Sequence, residues 1–169
     1  MTRHICLHGA ESTGKTVLAH KLAARLGCPL VPEYGRIHAE THGIGFAMAD
    51  LLAVAREQDR LMREAAAARP ALLILDTDPL MTAAWAEMLF RQVPEELFSY
   101  PKADLYLHFT PDVPWIADGT RFFGTPDERA RFAMIAEAML VRAGVTYRPI
   151  SGDWAERERQ AYDAVQSAI

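Results

Sequence analysis

Apolar residues along this chain switch repeatedly between two periods. Short continuous apolar runs at 5–7, 29–31, 71–75, 105–109 and 145–150 have the look of buried parallel strands. Between them the spacing turns helical. Leu18, Leu22 and Leu26 fall one turn apart and stop at Gly27. A long helix is predicted over 46–68, with Leu51, Leu52, Ala55, Leu61, Met62 and Ala65 turned inward. Further helices are predicted over 80–90, over 127–143 with Gly144 as terminator, and over 153–169. The stretch 111–126 has neither period, is polar, carries Gly119 and Gly124, and reads as a mobile loop.

Strands alternating with helices predict an α/β fold with a parallel sheet covered on both faces. Loops that follow the strands then gather at one edge, where ligands bind in such folds. The chemistry-bearing residues fall there: 9–16 after the first strand, Glu33 after the second, 76–78 after the third and 112–121 after the fourth.

The first of these loops is Gly9-Ala10-Glu11-Ser12-Thr13-Gly14-Lys15-Thr16. Its Gly-x-x-x-x-Gly-Lys-Thr spacing, between a strand and a helix, is that of a phosphate-binding loop. The glycines let the backbone curl so that successive amides face one centre, and the new helix adds its positive end. Lys15, expected to face solvent, would reach the β- and γ-phosphates of ATP, and the Thr16 hydroxyl would hold Mg²⁺.

Asp76-Thr77-Asp78 ends an apolar run. Two acids one residue apart point to opposite sides of an extended chain and need not share a task. Asp76 is assigned to Mg²⁺ or to general-base work. Asp78 is assigned to substrate, or to capping the next helix with Pro79 at its first position. In Glu33-Tyr34-Gly35-Arg36, Glu33 is a second candidate for base or hydroxyl anchor, and Arg36 for a fork onto phosphate or carboxylate. In Asp118-Gly119-Thr120-Arg121, a lid over 111–127 would bring Arg121 to charge developing on the transferred phosphoryl group, supported by Arg129 and Arg131. Trp85 and Trp115 could each stack a planar ring or sit in the core.

Other patterns fall away. His38-Ala39-Glu40-Thr41-His42 has Ala39 where a zinc protease needs glutamate, and no Pro-Cys-x-x-Cys follows to make it a deaminase. Gly43-Ile44-Gly45 follows no strand, so it is no dinucleotide fingerprint. No Asn-Lys-x-Asp stretch reads guanine and no Leu-Ser-Gly-Gly stretch marks a transporter ATPase. The 169 residues suit one domain spanning 1–169, and the net charge of −4 gives no overall basic surface for nucleic acid. Two cysteines, Cys6 and Cys28, make neither a disulfide framework nor a zinc cluster and are both expected to be buried thiols in a reducing cytosol. Neither a signal peptide nor a membrane-spanning stretch is evident, so a cytoplasmic location is expected, with no membrane partner.

Taken together, the phosphate loop, Glu33-Tyr34-Gly35-Arg36, Asp76-Thr77-Asp78 with Thr82 and Trp85, and Trp115-Ile116-Ala117-Asp118-Gly119-Thr120-Arg121 make the chain resemble a known family. It is similar to the ribosylnicotinamide kinase domain of the bifunctional regulators of NAD synthesis, within the AAA-type ATPase-like P-loop proteins. The resemblance covers nearly the whole chain. It implies a nucleoside-kinase-like three-layer P-loop NTPase fold with five parallel strands and a lid. It implies transfer of the γ-phosphate of ATP to the 5′-hydroxyl of nicotinamide riboside. By position it puts Lys15 and Thr16 on phosphate and Mg²⁺, Asp76 on Mg²⁺ or as base, Glu33 and Arg36 near substrate, and Asp118 and Arg121 in the lid. Where the family stacks an aromatic ring ahead of Glu-Tyr-Gly-Arg, this chain has Pro32, and Arg63 stands at a second aromatic position. The acceptor is therefore open between nicotinamide riboside and another nucleoside or sugar. A regulatory ATPase with no small-molecule acceptor is the alternative from a different class.

Overall fold

The computed structural model describes residues 1–117, 119 and 121–169. Five strands form one sheet: β1 (Arg3–Gly9), β2 (Leu30–Val31), β3 (Leu72–Asp76), β4 (Leu105–Phe109) and β5 (Tyr147–Ile150). Their order is β2-β3-β1-β4-β5 and every neighbouring pair is parallel. The helices are α1 (Lys15–Leu26), α2 (Tyr34–His42), α3 (Met48–Ala67), α4 (Pro79–Phe90), α5 (Glu96–Ser99), α6 (Pro126–Ala143) and α7 (Trp154–Gln166). The expected parallel α/β sandwich is present. Strand β5 starts two residues later than predicted, and the short α5 carries too few periodic positions to be read from sequence.

Alternation along the central strands divides the core. Ile5, Leu7, Ile74 and Leu107 pack on one face against Leu18 and Leu22 of α1 and Ala161 and Val165 of α7. Cys6, Leu73, Leu75 and Tyr106 pack on the other, against Met62, Leu80 and Leu140. Both faces are covered, which is why these strands read as continuous apolar runs. Helix α4 is buried on most of its circumference, between α3 and α6. Both cysteines are free thiols, but only Cys6 is buried as expected; Cys28, just past the end of α1, is half-buried at the edge of the core. Among the described residues, no helix is long and apolar enough to cross a membrane.

Local chemistry sets the helix ends. Gly27 and Gly144 close α1 and α6 in the left-handed conformation, as their positions predicted. Thr125 and Asp153 open α6 and α7 with reciprocal caps from Glu128 and Glu156. The register aligns the carboxyl ends of three strands, with Leu7 beside Asp76 and Gly9 beside Phe109. The loops leaving those ends make the site.

Candidate functional site

A cleft runs along this edge, from the loop after β1 to the space between α3, α4 and residue 122. At one end, β1 gives way to the loop at Gly9. There φ is +138°, and a Cβ would lie 2.5 Å from the Phe109 carbonyl oxygen, so only glycine lets β1 pass β4 while turning. Gly14, at φ +87°, has the Trp154 ring where a side chain would stand. Between the two glycines, the Ala10 carbonyl accepts from the Thr13 hydroxyl at 2.9 Å and from Lys15 Nζ at 2.7 Å. Lys15 is therefore buried and tethered rather than facing solvent as expected, because its ammonium turns back onto a carbonyl of its own loop. Burial pushes its pKa down, while Glu33, Asp76 and Glu11 pull it back up.

Asp76 lies at the end of β3, buried. Burial raises its pKa, and the Thr16 hydroxyl, Lys15 and Arg36 oppose that rise. Asp76 Oδ1 is buried with no hydrogen-bond partner among the described residues. A carboxylate oxygen left without a donor, next to a hydroxyl and a phosphate loop, fits a Mg²⁺ ion held by few protein groups and the nucleotide.

Glu33 lines the middle of the cleft. It occupies the N-cap position of α2 without spending its side chain on the cap. Burial pushes its carboxyl up to about 7, Asp76 adds to the rise, and Lys15 and Arg36 oppose it. Its backbone is fixed from α3. Gln58 accepts from the Tyr34 amide at 2.8 Å and donates to the Pro32 carbonyl at 3.2 Å. Sequence reasoning missed Gln58, although an amide on the same stripe as Val54, Ala55 and Met62 was a signal of buried polar work.

The far end of the cleft is aromatic. Phe46, Trp85, Phe122 and Phe132 line it. Trp85 meets Phe122 and Phe132 edge-on, with ring centroids 5.4 and 4.7 Å apart, and Phe46 lies 6.2 Å from Phe122. Of these, only Trp85 was expected. Pro32 and Arg63 do not line the cleft: the Pro32 carbonyl serves Gln58, and Arg63, itself exposed, pairs with the buried Asp59 one turn earlier on α3. The rings that replace them come from other elements.

The remaining expected residues divide. Arg36 and Arg121 line the cleft with the loop residues Glu11, Ser12, Thr13 and Thr16. Tyr34 does not; its ring turns toward His38, 6.4 Å away. Asp78 is withdrawn from the cleft wall. It caps α4 through the Leu80 amide at 2.9 Å and accepts from the Tyr106 hydroxyl at 2.5 Å, so the capping role is the one it fills. Trp115 packs under Gly124. His38 and His42 stack on one another, centroids 4.5 Å apart, within α2. Asp118 lies outside the described residues. Around it, Ile116 donates to Ser12 Oγ at 2.7 Å, and Arg121 reaches the same oxygen at 3.2 Å.

Residues 4–157 match a protein family described as an AAA domain. The chain is 28% identical over 152 residues to the trifunctional NAD biosynthesis/regulator protein NadR of Salmonella typhimurium, a match covering 86% of this chain and 37% of that protein. It thus spans little more than a third of that relative's length. In fold it is similar to a crystal structure of NadR in complex with NR, with a TM-score of 0.77 at 23% identity over 99% of this chain and 49% of the other. A second NadR structure, in complex with NAD and AMP-PNP, gives 0.74 at 20% identity over 99% and 49%.

Proposed function

The chain belongs to this AAA-domain family, and on that premise we propose that it is an ATP-dependent kinase acting on nicotinamide riboside to give nicotinamide mononucleotide. One observation carries the reading: a single cleft joins a phosphate loop at one end to an aromatic box at the other, with Glu33 between them. A triphosphate suits the first end and a planar ring on a ribose the second. The relative's role in NAD biosynthesis and the NR and AMP-PNP bound by NadR support the same pairing.

In this reading the loop amides and Lys15 hold the β- and γ-phosphates. Thr16 and Asp76 hold Mg²⁺, which when bound neutralises charge on the phosphate oxygens. Glu33 takes the proton of the 5′-hydroxyl as that oxygen attacks the γ-phosphorus and the bond to the β,γ-bridging oxygen breaks. Arg36 anchors the ribose side. Arg121, with residues 111–127 as a lid, offsets charge on the moving phosphoryl group and keeps water out.

Mass-spectrometric screening of nucleosides and sugars with ATP and Mg²⁺ tests this. Acceptor-dependent ADP formation with a mononucleotide product is expected for nicotinamide riboside. ATP hydrolysis indifferent to every acceptor would overturn the kinase reading and leave a regulatory ATPase.

A further inference from the structure

The largest fully buried side chain is a charged one, and it lies outside the cleft. Arg157, on the second turn of α7, is 1% exposed. Each of its three guanidinium nitrogens donates, to main chain or to one acid. Nε donates to the Gly152 carbonyl at 2.8 Å, Nη1 to the Thr13 carbonyl at 3.2 Å and Nη2 to the Thr110 carbonyl at 3.0 Å, while Nη2 also pairs with Asp112. Asp112 is itself held by the Gly152 amide at 2.7 Å and the Thr110 hydroxyl at 2.5 Å. Burying a guanidinium costs desolvation and the ordering of a long flexible side chain, which these bonds offset.

Its contact with Thr13 is the informative one. The peptide joining Thr13 to Gly14 is planar and trans, so its carbonyl and its N–H point in opposite directions. With the Thr13 carbonyl drawn out to Arg157, the Gly14 N–H is turned the other way, on the side where Gly14 lines the cleft. The Trp154 ring, one turn earlier on α7, stands where a side chain at residue 14 would be, so α7 meets the loop at this residue as well. We propose that Arg157 is a positioning residue for nucleotide binding: from the back of the phosphate loop it sets the Gly14 amide that meets the phosphates. This rests on the reading of residues 9–16 as the phosphate site. It adds that the loop's binding geometry is imposed by the last helix, 144 residues away in sequence.

The geometry predicts a split between ligands. Arg157→Lys keeps the charge but cannot serve the Gly152, Thr13 and Thr110 carbonyls at once. Calorimetry should show ATP with Mg²⁺ binding ~10-fold more weakly, the effect of one displaced charged-phosphate contact. Binding of nicotinamide riboside alone should stay within about twofold, since the aromatic end is untouched. In nitrogen-labelled protein, the Gly14 amide resonance should move on ATP addition in the parent chain and move less in the variant. Asp112→Asn, which loosens Arg157 without removing it, should show the same split at smaller size, and it carries the test if Arg157→Lys fails to fold. ATP affinity within about twofold of the parent in a folded variant would overturn the proposal, and so would equal losses for both ligands, which mark general destabilisation. Lys15→Ala separates the two readings: if ATP binding is insensitive to Lys15 as well, the phosphate-site assignment itself fails.

Discussion

The Glu11 carboxylate, inside the phosphate loop, accepts the backbone amide of Phe122 at 3.0 Å and that of Phe123 at 3.1 Å. Phe122 is one of the rings closing the far end of the cleft. The two ends of the cleft are thus tied by hydrogen bonds between residues 111 positions apart. Burial raises the Glu11 pKa, and the two amides and Lys15 work against that rise. Glu11→Ala should release Phe122 and raise the KM for the acceptor about 5- to 20-fold, with a smaller change in ATP affinity, because the lost bonds are to a charged acceptor. Steady-state kinetics with each substrate varied in turn checks this.

The proton on Glu33 gives a pH signature with opposite signs for activity and stability. Its carboxyl is pushed up to about 7 by burial and by Asp76. As a base it works without its proton, so kcat/KM for the acceptor should climb as pH rises through about 7. Stability runs the other way. Between its ordinary value of 4.5 and about 7, the folded chain holds a proton that the unfolded chain has lost. The stability present below that window is lost as pH rises through it. Glu33→Gln should abolish most turnover and flatten that part of the stability profile, seen by denaturant titration at several pH values.

Asp76, beside Thr16, has one oxygen without a partner among the described residues. Asp76→Asn replaces the carboxylate proposed to hold Mg²⁺ by a neutral amide. The variant should need about tenfold more Mg²⁺ for half-maximal rate and lose more in kcat than in ATP affinity. A magnesium titration of the rate, set beside calorimetry with ATP, separates the two.

Trp85 forms the shared edge of the aromatic box, against Phe122 and Phe132. Trp85→Ala should weaken nicotinamide riboside binding ~10-fold or more, while Trp85→Phe, which keeps a ring face, should restore part of it. ATP affinity should not change. Equal acceptor affinity in Trp85→Ala would place the ring elsewhere.

Sequence made the scaffold legible because its signals are local. The apolar runs of β1, β3 and β4, the glycine at each end of the phosphate loop and the caps of α1 and α6 each depend on neighbours within a turn or two. Lys15, Thr16, Glu33 and Asp76 could be nominated because the first two open the helix after β1, Glu33 follows β2 and Asp76 ends β3. What stayed hidden is long-range. Phe122 lines the cleft with its amide held by Glu11, far away in sequence, and Phe46 lines it from just ahead of α3. Asp78 showed a carboxylate at a strand end but not the Tyr106 hydroxyl that claims it from across the sheet. Arg157 did leave a trace. It stands four and eight residues ahead of Ala161 and Val165, on the stripe of α7 that meets the core. A charge on that stripe signals a buried acceptor set, though not which carbonyls compose it.

Helix α4 bears on what the acceptor end will admit. Walled in by α3 and α6 and anchored at its start by Asp78, it has no freedom to slide, and Trp85 is bolted to it. A bulkier ring cannot push that indole aside the way it could a side chain on a surface loop. Discrimination among nucleosides at this wall would then come from a refusal to yield, and widening the range of acceptors would mean trimming residue 85 itself rather than loosening its surroundings.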